Sequence, residues 1–82
     1  MKDLSPLSLE AKTLQIGTYE HYKGLQYQVL AVARNEATLE EVVVYKGLYG
    51  EQDVWVRPLK SFLETMAIEG RDIPRFRFLE KT

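Results

Sequence analysis

No cysteine occurs in the 82 residues, and only one histidine and one tryptophan. The missing cysteines exclude disulfide staples and thiolate zinc sites, the usual supports of a small fold with a thin core. A lone histidine, His21, leaves any metal centre short of ligands, and Glu20 beside it does not complete one. Three serines are present (Ser5, Ser8, Ser61), and no nucleophile motif surrounds any of them. The glycines form no phosphate-cradling loop. There is no excess of either charge: eleven basic and twelve acidic residues leave a net charge of −1. A dedicated duplex-DNA binder usually carries a clear positive surplus. No apolar run approaches the ~20 residues that cross a bilayer. The opening MKDLSPLSLEAK has no apolar core and does not read as a signal peptide. A cysteine-free chain fits a reducing compartment, so the expected location is cytoplasmic.

What is present is an ordinary globular share of apolar residues, 45%, in a chain of single-domain length. A chain this short buries only roughly 60–65% of the surface it exposes when unfolded. Aliphatic and aromatic packing must therefore hold it together.

The chain is organised around GTYEHYKGLQYQVLAVAR, residues 17–34. It reads as two strands, Gly17–Tyr22 and Gln26–Arg34, joined by a tight turn at Lys23–Gly24. Alternation puts Tyr19 and His21 on one face of the first strand. In the second, Tyr27, Val29, Ala31 and Ala33 oppose Gln28, Leu30, Val32 and Arg34. Its apolar second half predicts cover on both sides. Asn35–Glu41 is a polar hairpin loop, with one helical turn at Thr38–Glu41 as the alternative.

The valine-rich Val42–Leu48 is a third strand. After a turn at 49–53 comes a fourth, Val54–Arg57, ended by Pro58. Leu59, Phe62, Leu63 and Met66 then adopt helical spacing for one or two turns. A last hairpin runs around Gly70, with its second strand continuous over Ile73–Phe78. There Phe76 and Phe78 oppose Arg75 and Arg77. Residues 1–15 form an arm, in which Ser5–Pro6 resembles a helix start while Leu7, Leu9 and Ala11 alternate as in a strand. The expected fold is mostly β: a small SH3-like antiparallel barrel of five to six short strands with one short helical turn, spanning residues 16–82.

The pattern Gly-x-Tyr-x-His-Tyr-Lys-Gly-x-x-Tyr-x-Val-Leu, beginning at Gly17, is followed by Val43-Val44-Tyr45, Leu48-Tyr49-Gly50, Trp55-Val56-Arg57-Pro58 and Pro74-Arg75-Phe76. In these residues the chain resembles a bacterial domain family of unknown function. The resemblance implies a small bacterial domain and brings no activity, ligand or catalytic residue with it.

The chemistry-bearing residues are His21, Tyr22, Lys23, Tyr45, Tyr49, Trp55 and Arg57, with Tyr19 as a further ring. Gathered on one side of a barrel they form an aromatic and basic groove, where rings stack and the cations meet an anion. The bland alternative is that several of these rings are core. Arg57 can equally brace the barrel by pairing with Glu41, Glu40 or Glu20, and that internal pair is expected. Arg71, Arg75 and Arg77 make a basic stripe that reads most simply as a solvated edge.

The leading expectation is a non-enzymatic binding or adaptor module for a peptide, protein or nucleic-acid partner, with no metal or cofactor. The alternative is a small-molecule sensor or enzyme with His21, Tyr22 and Arg57 around one cavity. A third reading is an oligomerising domain that uses a barrel edge and the N-terminal arm.

Overall fold

The computed structural model describes residues 6–82. The expected Ser5 cap lies outside them. Seven strands and two single-turn helices follow in order. They are α1 (Leu9–Thr13), β1 (Gly17–His21), β2 (Gln26–Arg34), β3 (Glu41–Gly47), β4 (Val54–Pro58), α2 (Leu59–Phe62), β5 (Thr65–Ile68), β6 (Arg71–Pro74) and β7 (Phe76–Lys81). Five strands form one antiparallel sheet in the order β4-β3-β2-β1-β7, and β5 and β6 form a separate hairpin. This is the bent SH3-like arrangement expected from the alternation: a four-strand meander whose last strand returns beside the first.

The bend has a local origin. The β2–β3 register slips between Val29 and Ala31, so Leu30 is the extra residue of a bulge. Before the bulge β2 pairs with both β1 and β3; beyond it, only with β3. The bulge also resets the alternation. Val32, not Ala31, lies opposite buried Val43, while Leu30 and Ala31 are exposed. The predicted cover on both faces of this half-strand is therefore not found.

Cross-strand pairing defines an inner face. It carries Tyr19 and His21 of β1, Tyr27 and Val29 of β2, Val43 and Tyr45 of β3, Trp55 and Arg57 of β4, and Phe76 and Phe78 of β7. Pro58 closes β4, and α2 makes a single turn that drives Leu59 and Phe62 into this face. Leu63 is left exposed and Met66 belongs to β5. Phe62 stacks on Phe76 at 4.2 Å and meets Tyr19 and Tyr45 edge-on. Burying a ring of this size removes about 150–250 Å² from water.

The N-terminal arm joins the same core. Ser8 caps α1: its Oγ accepts from the Ala11 N–H. Ala11 is buried, and Leu7 and Leu14 pack against the barrel core. The arm is fastened by Glu41, whose two carboxylate oxygens accept from the Ser8 N–H at 2.7 Å and the Ser8 hydroxyl at 2.6 Å. Glu41 thus clasps the arm instead of capping a turn at Thr38, where Asn35 Oδ1 organises the hairpin loop by accepting from Ala37 and Thr38.

The C-terminal region differs from its expectation. Ile73–Phe78 is not one strand. The chain leaves the small hairpin at Pro74, and Phe76 begins β7 against β1. Arg75 is the joint: its N–H donates to the Glu64 carbonyl and its carbonyl accepts from the Tyr22 N–H. Proline cannot supply a ladder N–H, which favours the break at this point.

Candidate functional site

The inner face is covered in one part and open in another, and the open part collects most of the residues singled out in the sequence. The β1–β2 turn closes through the His21 N–H donating to the Leu25 carbonyl and the Gly24 N–H donating to the His21 carbonyl. Gly24 takes φ +107°, a conformation few side chains tolerate. This turn sets Tyr22 and Lys23 at the rim. The Tyr22 ring lies 4.6 Å from His21, and the Lys23 ammonium sits 5.8 Å from the centre of the Tyr22 ring.

Two tyrosines meet across the opening. The hydroxyls of Tyr27 and Tyr49 are 2.8 Å apart and their rings cross at 86°. The Tyr49 ring lies over Gly47, where a Cβ would approach the ring edge to 2.9 Å. Only glycine there lets the ring settle. Beside it, Trp55 and residues 49–53 border a recess of about 180 Å³.

Arg57 does not make its expected acidic pair. Its Nη1 donates to Ser61 Oγ at 2.8 Å and its Nε to the Tyr45 hydroxyl at 3.4 Å. Glu41 is committed to Ser8, and Glu20 accepts from Arg77 at 2.7 Å. The guanidinium lies 5.8 Å from the centre of the Phe76 ring. Among the described residues no carboxylate pairs with Arg57 or Lys23, whereas Arg75 and Arg77 are bound to Glu64 and Glu20. The basic stripe is thus largely neutralised locally, and the cations of the open part are not.

Titration reflects this environment. His21 Nδ1 accepts from the Lys23 N–H, so the ring proton resides on Nε2. Burial, then the positive charges of Arg75, Arg57 and Lys23, hold the imidazole below its ordinary range. Tyr27 is pushed up to about 12, by burial first and then by its bond to Tyr49. Both shifts favour the neutral ring. The positive charges contribute to this at His21, whereas at Tyr27 burial and the neighbouring tyrosines outweigh Arg57.

Contacts through Tyr27, Tyr45 and Phe76 link His21, Tyr22, Lys23, Tyr49 and Arg57, and Trp55 shares a recess with Tyr49 and pairs with Tyr45. Tyr45 and Tyr19 are core: the Tyr45 ring is buried with its hydroxyl toward Arg57, and the Tyr19 hydroxyl donates to the Gln15 carbonyl at 2.7 Å. Residues not singled out in the sequence complete the site. Tyr27 is half-buried and packs against the core. Phe76 touches His21, Tyr27, Tyr45, Phe62 and Arg57, and Ser61 holds the guanidinium. Pairing parity was the signal for Tyr27 and Phe76; nothing local marks Ser61. Among the described residues no three acidic, histidine or cysteine side chains are placed to hold a metal ion. No helix among them is long and apolar enough to cross a membrane.

The fold defines a small SH3-like antiparallel β-barrel. A family model described as "Protein of unknown function (DUF1653)" matches residues 17–78, and the chain belongs to that family. It is similar to a DUF1653 protein from Bordetella bronchiseptica known from a crystal structure. The two share 34% identity over 88% of this chain and 95% of the other, with a TM-score of 0.80. No curated protein matches the chain.

Proposed function

We propose that the chain is a non-enzymatic binding module whose contact surface is the open part of the inner face. The observation that carries this reading is the convergence of Tyr22, Tyr27, Tyr49 and Trp55 with two cations, Lys23 and Arg57, that no described carboxylate neutralises. Rings with exposed edges take flat or apolar groups, and an arginine held by Ser61 and Tyr45 presents its remaining N–H donors in a fixed direction. The chemistry fits an extended peptide segment of a partner protein that carries an apolar or proline residue next to a carboxylate. The barrel of residues 16–82 is the module, with the preceding arm strapped to it, acting in the cytoplasm.

The larger cavity, about 490 Å³, lies elsewhere, between the arm and α2. Its walls include Ser8 and Glu10, outside the family-matched stretch, with Glu40, Glu41 and Lys60. It is the crevice beneath the strap. The sensor or enzyme reading needs His21, Tyr22 and Arg57 to act on one molecule. His21 and Arg57 both lean on Phe76, and no hydrogen bond joins them. Ser61, the hydroxyl nearest Arg57, has a cation and no base as its partner.

Heteronuclear NMR titration with peptide and oligonucleotide pools tests the proposal. Acidic, proline-containing peptides are expected to shift the Trp55 indole N–H and the Tyr49 and Lys23 amides. Arg57→Gln should weaken that binding at least tenfold. Shifts confined to the crevice beneath the arm, or produced by oligonucleotides alone, would overturn it.

A further inference from the structure

We infer that β4 is a self-association edge, through which two copies of this chain pair antiparallel about Trp55. The sheet has two edges, and they are built differently. The β7 edge carries exposed Arg77, Glu80 and Lys81, the charged composition that discourages strand addition. The β4 edge carries Val54, Trp55 and Val56, exposed at 59%, 49% and 66%. Three consecutive apolar residues on an unpaired edge are a template for another strand.

The hydrogen-bond phase selects the register. The Gly47 N–H donates to the Asp53 carbonyl at 3.0 Å, and Trp55 and Arg57 lie opposite Tyr45 and Val43 two and four positions along. Asp53, Trp55 and Arg57 therefore turn their backbone groups toward β3. Val54 and Val56 turn theirs away, toward the open side. A two-fold pairing centred on Trp55 sets Val54 of one copy against Val56 of the other, so both outward-facing residues exchange both ladder bonds.

Neighbouring registers fail at the strand's ends. Sliding one way brings in Pro58, which has no N–H. Sliding the other way brings in Gln52, whose φ of +57° takes it out of the extended conformation.

Charge agrees with geometry. In this register Asp53 of each copy faces Arg57 of the other across DVWVR, a segment acidic at one end and basic at the other. The two tryptophans meet as a non-hydrogen-bonded pair, the closer of the two antiparallel pair types. On the outer face Val54 and Val56 of both copies extend the band begun by Val42 and Val44. The product is one continuous sheet of ten strands, with the charged β7 at both of its edges.

Sedimentation equilibrium and amide hydrogen exchange on the full chain test this. The chain is expected to dimerise reversibly, with the Val54 and Val56 amides protected in the dimer. Val56→Lys lies on an exposed outer position and leaves the inner face untouched. It should raise the dimer dissociation constant at least tenfold without changing the circular dichroism spectrum. Asp53→Lys, which sets a lysine against Arg57, should also weaken pairing.

A monomer at millimolar concentration would overturn the inference. So would a dimer indifferent to Val56→Lys, or rapid exchange at Val54 and Val56 in the dimer. Protection of those amides only when an unrelated peptide is added would assign the edge to a different partner. Trp55 and Arg57 serve both ideas, so a second copy and a peptide compete for them. Peptide titration of the Val56→Lys monomer, in which Trp55 and Arg57 are unchanged, reads the contact surface apart from pairing, and either idea can fail alone.

Discussion

Tyr19 and Tyr27 stand directly opposite each other on neighbouring strands, on the same face of the same sheet. Tyr19 is buried against Phe62 and Phe78, and its hydroxyl is spent on a backbone carbonyl. Tyr27 is half-buried, and its hydroxyl meets another side chain in the opening. What separates them is cover. α1 and α2 supply Ala11, Leu59 and Phe62 over one part of the face, while a turn and a loop merely rim the other. An aromatic residue on a barrel strand is thus buried or left half-open according to which helical turn lies above it.

The comparison breaks most directly by emptying the covered part. Phe62→Ala should cost about 3–5 kcal/mol, a large share of the roughly 5–15 kcal/mol typical of a domain. Trp55→Ala in the open part should cost only about 0.2–1 kcal/mol, the scale of a cross-strand pair such as Trp55 with Tyr45. Urea denaturation compares the two directly. Equal losses would mean that the open part is core after all.

Next is the strap that brings part of the cover. Its two bonds to Ser8 hold the Glu41 carboxyl below the ordinary glutamate range. A carboxyl depressed by folding binds fewer protons folded than unfolded near its titration. Its stabilisation is therefore complete at neutral pH and is lost as pH falls through the folded value. Acid titration should release the arm, seen as faster amide exchange at Ala11 and Lys12. Glu41→Gln should show that release already at neutral pH and flatten the acid limb of the stability curve.

A smaller effect sharpens the open side. Tyr27→Phe should cost about 0.5–1.5 kcal/mol for one hydroxyl bond and abolish the phenol that ionises at about 12. Spectrophotometric titration of the tyrosines would show that late step disappear; its persistence would assign it to another ring.

Smallest is the response of His21. Its midpoint in an NMR titration should fall below the ordinary imidazole value of about 6.5. The neutral ring is the one the fold favours, so this contribution to stability is present above the unfolded midpoint and declines as pH falls through the folded one. A midpoint above the ordinary value would place a carboxylate near His21 and refute the positive field.

Much of this architecture was legible before any coordinates. Alternation placed Tyr19 with His21 and Phe76 with Phe78, Pro58 marked the end of β4, and Leu59 and Phe62 announced a helical turn. Two features misled. The bulge at Leu30 shifts the parity of Val32 and Ala31, and nothing in the apolar run QVLAVA marks where a strand takes an extra residue. The segment from Ile73 to Phe78 alternates without a break, yet it divides between two sheets at Arg75. Of the proposed contact surface, His21, Tyr22, Lys23, Tyr49, Trp55 and Arg57 were singled out in sequence as polar-tipped or aromatic residues on short strands and turns. The partner of Arg57 was not. Three acids of the right charge were available in sequence, and the fold gave each of them distance or another donor.

Short-range chemistry belongs to the chain itself: which residues extend, which turn, and which face each side chain takes follow from backbone sterics and the two-residue period of a strand. Which rings stay dry was decided only in three dimensions. Burial depends on what the sheet's curvature brings above a residue, and for Tyr19 and Tyr27 that is set by α1 and α2, helical turns remote from β2 in sequence, together with a single clasp at Glu41.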